Sequence, residues 1–201
     1  MSLRKNSKPY RIVLTGGPGA GKTTAADLIR REVGDCIVVV PEAATMLFEG
    51  GFPRYTEVDA VRATQKAIYH VQKNLEEVQA ANFPDRVLFC DRGTLDSSVY
   101  WPEGERHFFS ELGTSLEKEL ERYDAVIFFE TAAVGRISIE SSNRARIETL
   151  DEAIALDRKL KKVWMQHPNF HFIPHEKSFI HKLVEANSLI QEVISRWQNG
   201  G

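Results

Sequence analysis

The sequence predicts a three-layer α/β fold built on a doubly wound, mainly parallel sheet of five strands. Five short runs, RIVLT (11–15), CIVVV (36–40), RVLFC (86–90), DAVIFF (124–129) and NFHFI (169–173), are mostly apolar rather than alternating. Strands covered on both faces read this way. Segments of helical spacing separate them, and parallel neighbours need such crossovers, which are right-handed. The chain has 201 residues, 42% hydrophobic and 27% charged, enough for one domain with a sizeable core.

In order along the chain, a polar tail (1–8) precedes a single domain over 9–198. The first strand ends in glycines, and AGKTTAADLIRREVG reads as a helix stopped by Gly34. Pro41 ends the second strand. A long helix runs from Thr56 to about Asn82, with Thr56 and Asp59 as a capping pair and Val61, Ile68, Val71, Leu75 and Val78 at helical spacing. A capping box at Thr114 and Glu117 opens a short helix before the fourth strand. Another at Thr149 and Glu152 opens a helix to about Gln166, where Pro168 bars continuation. Its acids Asp151 and Glu152 and its bases Lys161 and Lys162 suit the macrodipole. A last helix places Ile180, Leu183, Val184, Ile190, Val193 and Trp197 on one face. The least regular stretches are 50–55, 93–113 and 131–148, and binding is expected there, beyond the carboxyl ends of the strands.

A net charge of −2 gives no global field toward nucleic acid or an anionic membrane. No apolar run approaches the roughly 18 residues of a span, and MSLRKNSKPY lacks a signal-peptide core, so a cytoplasmic location is expected. Cys36 and Cys90 lie in apolar runs, where buried, unpaired thiols are expected.

The most specific signal is GGPGAGKT at 16–23, which fits G-x-x-x-x-G-K-[ST]. At average usage its four fixed positions match by chance somewhere in such a chain less than about 1% of the time. It follows a strand and opens a helix, as the mechanism requires. Gly16, Gly17, Pro18, Gly19, Ala20 and Gly21 form the turn, whose amides, with those of Lys22, Thr23 and Thr24, make an anion cradle at a positive helix end. Lys22, read as an exposed loop lysine, reaches the β- and γ-phosphates of ATP or GTP, and the Thr23 hydroxyl ligates Mg²⁺.

FCDRG (89–93) closes the third strand. Asp91 is a candidate for a Mg²⁺ ligand or for the base that takes a proton from an acceptor hydroxyl. Arg92 is a candidate for binding an acceptor's anion or the phosphoryl in flight, or for a structural ion pair. Arg136, Arg144 and Arg146 fall in a lid at about 131–148. Arg144 and Arg146, just before a capped helix, are placed to swing together toward a γ-phosphate.

The loop at 16–23, the D-R-G after the third strand, and N-R-A-R-I-E-T followed by W-M-Q-H-P resemble one P-loop family. It groups the ribosylnicotinamide-kinase module of a bacterial NAD regulator with a eukaryotic translocation-defect ATP/GTP-binding protein, an AAA-type domain. The resemblance covers about residues 10 to 194. More distantly, the chain is similar to thymidylate and deoxynucleoside kinases. The resemblance implies an ATP-binding, kinase-like core of nucleotide-kinase type that works through Lys22, Thr23, Asp91 and the lid arginines.

Other candidates have two readings each. Glu42 grips a substrate hydroxyl or starts a helix; Gln65 faces an acceptor ring or solvent. Phe52, Arg54 and Tyr55, with Tyr100 and Trp101, stack an acceptor or fill core. His167, His171 and His175 recur every four residues, but Pro168 and Pro174 argue against a helical metal site. PHEKS lies where such folds hold the nucleotide base. The expected function is transfer of a γ-phosphoryl to a nucleoside-like or other small acceptor. The alternative is an NTP-dependent regulatory or hydrolytic switch without an acceptor, against which stands the lack of an N-K-x-D motif. Oligomeric state is not legible.

Overall fold

The computed structural model describes residues 9–135, 149–176 and 178–198. The elements are β1 (Arg11–Thr15), α1 (Lys22–Val33), β2 (Ile37–Val40), α2 (Ala43–Glu49), α3 (Val58–Asn82), β3 (Val87–Asp91), α4 (Asp96–Val99), α5 (Glu105–Leu112), α6 (Leu116–Leu120), β4 (Ala125–Phe129), α7 (Leu150–Trp164), β5 (Phe170–Ile173) and α8 (Phe179–Gln198). The five strands pair in the order β2-β3-β1-β4-β5, and every pairing is parallel.

Strand residues alternate between two cores because successive side chains point to opposite faces. Ile12, Leu14, Phe89, Ile127 and Phe129 pack against Ala25, Ala26 and Ile29 of α1 and Ala186, Ile190 and Val193 of α8. Val13, Leu88, Cys90, Val126 and Phe128 pack against Leu160, Val163 and Trp164 of α7, with Leu75 of α3 beside them. The register sets Leu14 level with Asp91, so the loop after β1 and the end of β3 emerge side by side. That adjacency positions everything below.

Several local expectations are corrected. Helices α4 and α5 form where no helix was read from the sequence, and α2 follows Glu42, one of whose two readings was a helix start. They are short, and their stability comes from tertiary packing rather than periodicity. Helix α3 begins at Val58 after Glu57 with no side-chain cap; Asp59 pairs instead with Arg62 at 3.1 Å. Its buried positions are Gln65, Tyr69, Gln72 and Glu76, whereas Val78 is exposed. The cap of α6 is Ser115, which accepts from Lys118 N–H, because the Thr114 hydroxyl donates to Glu119. The Thr149–Glu152 box forms as expected. On α8, Ile190 and Val193 are buried, but Ile180 and Val184 stand in solvent. Cys36 is exposed in the turn before β2, and Cys90 is buried; both are free. Among the described residues no helix is long and apolar enough to cross a membrane.

Candidate active site

The loop from Gly16 to Gly21 joins β1 to α1. At Gly16, φ is +136°, and an added Cβ would lie 2.0 Å from the Phe129 carbonyl oxygen, so only glycine lets the loop cross the end of β4. At Gly21, φ is +89°, and a Cβ would strike the Phe179 ring. The first amides of α1 have no intrahelical partner, and the helix dipole makes that end positive.

Side chains from α7, from the segment after β4 and from α8 hold the loop's backbone groups. Asp157 Oδ1 accepts from Gly17 N–H at 2.8 Å and Thr131 N–H at 3.0 Å. The Thr131 hydroxyl donates to the Pro18 carbonyl, and Lys182 Nζ donates to Ala20 O at 2.9 Å and to Glu130 O. Lys22 is 3% exposed, with Nζ on Gly16 O at 3.0 Å and Gly17 O at 3.1 Å. This corrects its reading as a solvent-facing lysine. The ammonium folds onto the loop's own carbonyls. Thr24 is exposed on the first turn.

Asp91 Oδ2 accepts the Thr23 hydroxyl at 2.8 Å, while Oδ1 is buried with no hydrogen-bond partner. Burial, then the Glu42 charge, push its pKa up, against Lys22, Thr23 and Arg92. Arg92 has φ +72°, a conformation that costs a non-glycine residue about 1–3 kcal/mol. The turn brings its guanidinium back under the loop. Nε donates to Glu42 Oε1 at 2.5 Å, and Nη1 donates to Asp96 Oδ2 at 2.8 Å. Asp96 also accepts from the Thr15 hydroxyl and from Trp164 Nε1. Burial pushes the Glu42 pKa up, but Arg92, Lys22 and the Thr45 hydroxyl outweigh it, so the carboxyl is held below its usual value. Glu42 precedes α2 without capping it by its side chain. Both features of its sequence reading are present: it is the first residue before α2, and it lines the cavity beside the loop.

Beside the loop lies a cavity of about 220 Å³. Pro18, Glu42 and Arg92 form its loop end; Thr64, Gln65 and Ile68 of α3 form a wall; Phe48, Tyr55 and Tyr100 are its aromatics. Arg54 also lines it, stacked 3.8 Å over the Phe48 ring. Gln65 therefore faces the cavity. Phe52 does not line it, and Trp101 is buried against Phe108. The histidines part company: His167 bonds the Tyr123 carbonyl, His171 bonds Asn169, and the backbone of His175 donates to Glu130. No His, Cys, Asp and Glu cluster able to hold a metal occurs among the described residues. Arg136, Arg144 and Arg146 lie outside the described residues. Sequence reading missed Asp96, Asp157, Lys182 and Gln72. Of these only Asp96 carried a signal, as an acid four residues after Arg92 in the same segment.

A glycine-rich loop between a central strand and a helix, in a parallel sheet of this order, defines a P-loop fold of nucleoside-kinase type. The chain belongs to the AAA domain family, whose model matches residues 11–178. Among solved structures, deoxyadenosine kinase from M. mycoides with bound dATP is similar, with a TM-score of 0.62 at 18% identity over 92% of this chain and 99% of that one. No curated protein sequence matches.

Proposed function

We propose that this protein is a Mg²⁺-dependent kinase, cytoplasmic in location, that moves the γ-phosphoryl of ATP or GTP to a hydroxyl of a small, nucleoside-like acceptor. The observation that carries this reading is the cavity that abuts the phosphate loop at Pro18 and ends on the Glu42–Arg92 pair. A switch without an acceptor has no use for such a pocket. Its size is below the 300–1,000 Å³ of typical drug-sized sites, which suits a single small molecule. Phe48, Tyr55 and Tyr100 offer ring faces, and the Gln65 amide offers a donor and an acceptor.

In this reading the triphosphate lies along Gly16 to Thr24, with Lys22 leaving the loop carbonyls for the phosphates. The residues present fit Mg²⁺: a hydroxyl and a buried carboxylate whose second oxygen has no partner are hard oxygen ligands. Thr23 and Asp91 would hold the ion, which when bound neutralises charge on the phosphates. Glu42, kept ionised by Arg92, takes the acceptor's hydroxyl proton as its oxygen bonds to the γ-phosphorus and the bond to the β-phosphate oxygen breaks. Arg92 orients Glu42 and lies near the transferred group. Arg144 and Arg146 would add cations from the lid. The similar deoxyadenosine kinase holds dATP, which agrees with a nucleotide ligand.

The test is a panel of nucleosides, ribosylnicotinamide, nucleoside monophosphates and sugars with MgATP and MgGTP, read by acceptor phosphorylation. Phosphorylation of at least one nucleoside-like acceptor is expected. Nucleotide hydrolysis with none phosphorylated would move the protein to the switch class.

A further inference from the structure

Helix α3 buries an unusual stripe. Its buried residues, Gln65, Tyr69, Gln72 and Glu76, all carry hydrogen-bonding groups and recur at helical spacing on one face. Buried polar side chains are costly unless satisfied, so each should have a partner that explains it. Tyr69 donates to Glu119, and Glu76 accepts from Arg122 and Tyr123. Gln72, 2% exposed, reaches instead toward the cleft. Its Oε1 accepts from the N–H of Ala43, the residue after Glu42, at 3.1 Å. Its Nε2 donates to the Arg92 carbonyl at 3.2 Å and lies 3.5 Å from Glu76 Oε1.

One planar amide therefore joins the backbones at Glu42 and Arg92, whose side chains meet at 2.5 Å. These two residues are fifty apart in sequence, and the β2–β3 ladder that aligns their strands ends at Val40 and Cys90, two residues before each of them. Arg92 also sits in a conformation that an L-residue avoids. Gln72 is the side chain that takes its carbonyl. The job needs a donor and an acceptor at one rigid end, which among side chains of this length is glutamine's chemistry.

We infer, resting on the kinase reading, that Gln72 is a positioning residue. It fixes the backbones of Glu42 and Arg92 so that the carboxylate is already aimed at the acceptor's hydroxyl. It touches neither acceptor nor nucleotide.

Two variants test it. Gln72→Leu removes both bonds. Gln72→Glu keeps the size and the acceptor toward Ala43 but removes the amide donor to Arg92. The first readout needs no acceptor: the Arg92 Nε–H signal in a ¹⁵N spectrum, assigned by its loss in Arg92→Lys. Held by Glu42 it should exchange slowly in the wild type, and about tenfold or more faster in both variants, with the amides of 16–24 unshifted. The second readout is kinetic: kcat falls about tenfold or more while KM for MgATP stays within about twofold. Unchanged Arg92 exchange in both folded variants overturns the inference whatever the activity. So does a loss of MgATP affinity in step with kcat, since that marks a general structural role. If the wild type phosphorylates no acceptor, the kinase reading falls, and the Arg92 signal still decides whether Gln72 holds the pair.

Discussion

The two ends of the cleft are held by different kinds of bond. At the loop end, one contiguous stretch presents its backbone, and buried side chains hold its backbone groups: Asp157 on Gly17, Thr131 on Pro18, Lys182 on Ala20. At the cavity end, side chains hold side chains. Glu42, Arg92, Asp96, Thr15 and Trp164 come from four separate parts of the chain and meet in one network. A backbone surface presents the same amides whatever its side chains are, so it suits a group common to all triphosphates. A side-chain network can be altered one residue at a time, so it suits the part of a ligand that differs between substrates.

Lys22→Ala should show the largest effect and should damage both binding and turnover. Loss of one preorganised cation at the phosphates lowers turnover by about 10²- to 10³-fold. MgATP affinity, read by calorimetry, should fall as well. Because Lys22 is buried on the Gly16 and Gly17 carbonyls, the variant should also melt lower, which an exposed loop lysine would not cause. Turnover within threefold of wild type contradicts the role of Lys22.

Glu42→Gln separates the two ends. The amide retains the size and can still accept from Arg92, but it cannot take a proton. Transfer should drop by about 10²-fold, the low end for a general base. MgATP affinity should stay within twofold, because the bonds of Asp157, Thr131 and Lys182 that hold the loop do not involve Glu42. If nucleotide affinity falls together with transfer, the ends are not separate units.

The same difference explains what the sequence disclosed. The loop is legible because its function needs glycines, a lysine and a threonine at fixed spacing in one stretch, and strand-then-helix context confirms it. Asp91 ends β3 and Arg92 follows it, which is enough to nominate both, and Glu42 stands two residues past β2. Gln65 and Gln72 are a different case. Their helix was found from Val61, Ile68, Val71, Leu75 and Val78, yet its most buried face is polar. Periodicity assumes that burial selects apolar residues, and a helix that delivers hydrogen bonds to an interior site breaks that assumption. Asp157 and Lys182 sit within ordinary amphipathic helices, where a charged residue reads as solvated until the fold turns it inward. Nor could spacing reveal that Arg92 adopts a left-handed conformation, since that follows from tertiary bonds and not from residue type.

Lys182 gives the smallest and most specific check, on whether the loop end is braced by a buried charge. It is 3% exposed on α8 and binds the Ala20 and Glu130 carbonyls. Burial pushes its pKa down to about 8, and Asp157, Glu130 and Glu185 only partly oppose it. Below about pH 8 the ammonium is charged in both folded and unfolded chains, and the folded state bears the desolvation cost. Between about 8 and the ordinary value of 10.5, the unfolded chain binds more protons than the folded one, so this group's contribution to stability rises with pH. From pH 7.5 to 9.5 the rise is about 2 kcal/mol, or roughly 4–8 °C in Tm for a chain of this size. Lys182→Met cannot show that rise, although it leaves two carbonyls without their donor and should be less stable throughout. Other groups that titrate in the window cancel when the two Tm–pH curves are subtracted. Curves that run parallel from pH 7.5 to 9.5 would mean that Lys182 is not desolvated, and that the Ala20 carbonyl is held by an ordinary solvated lysine rather than from within.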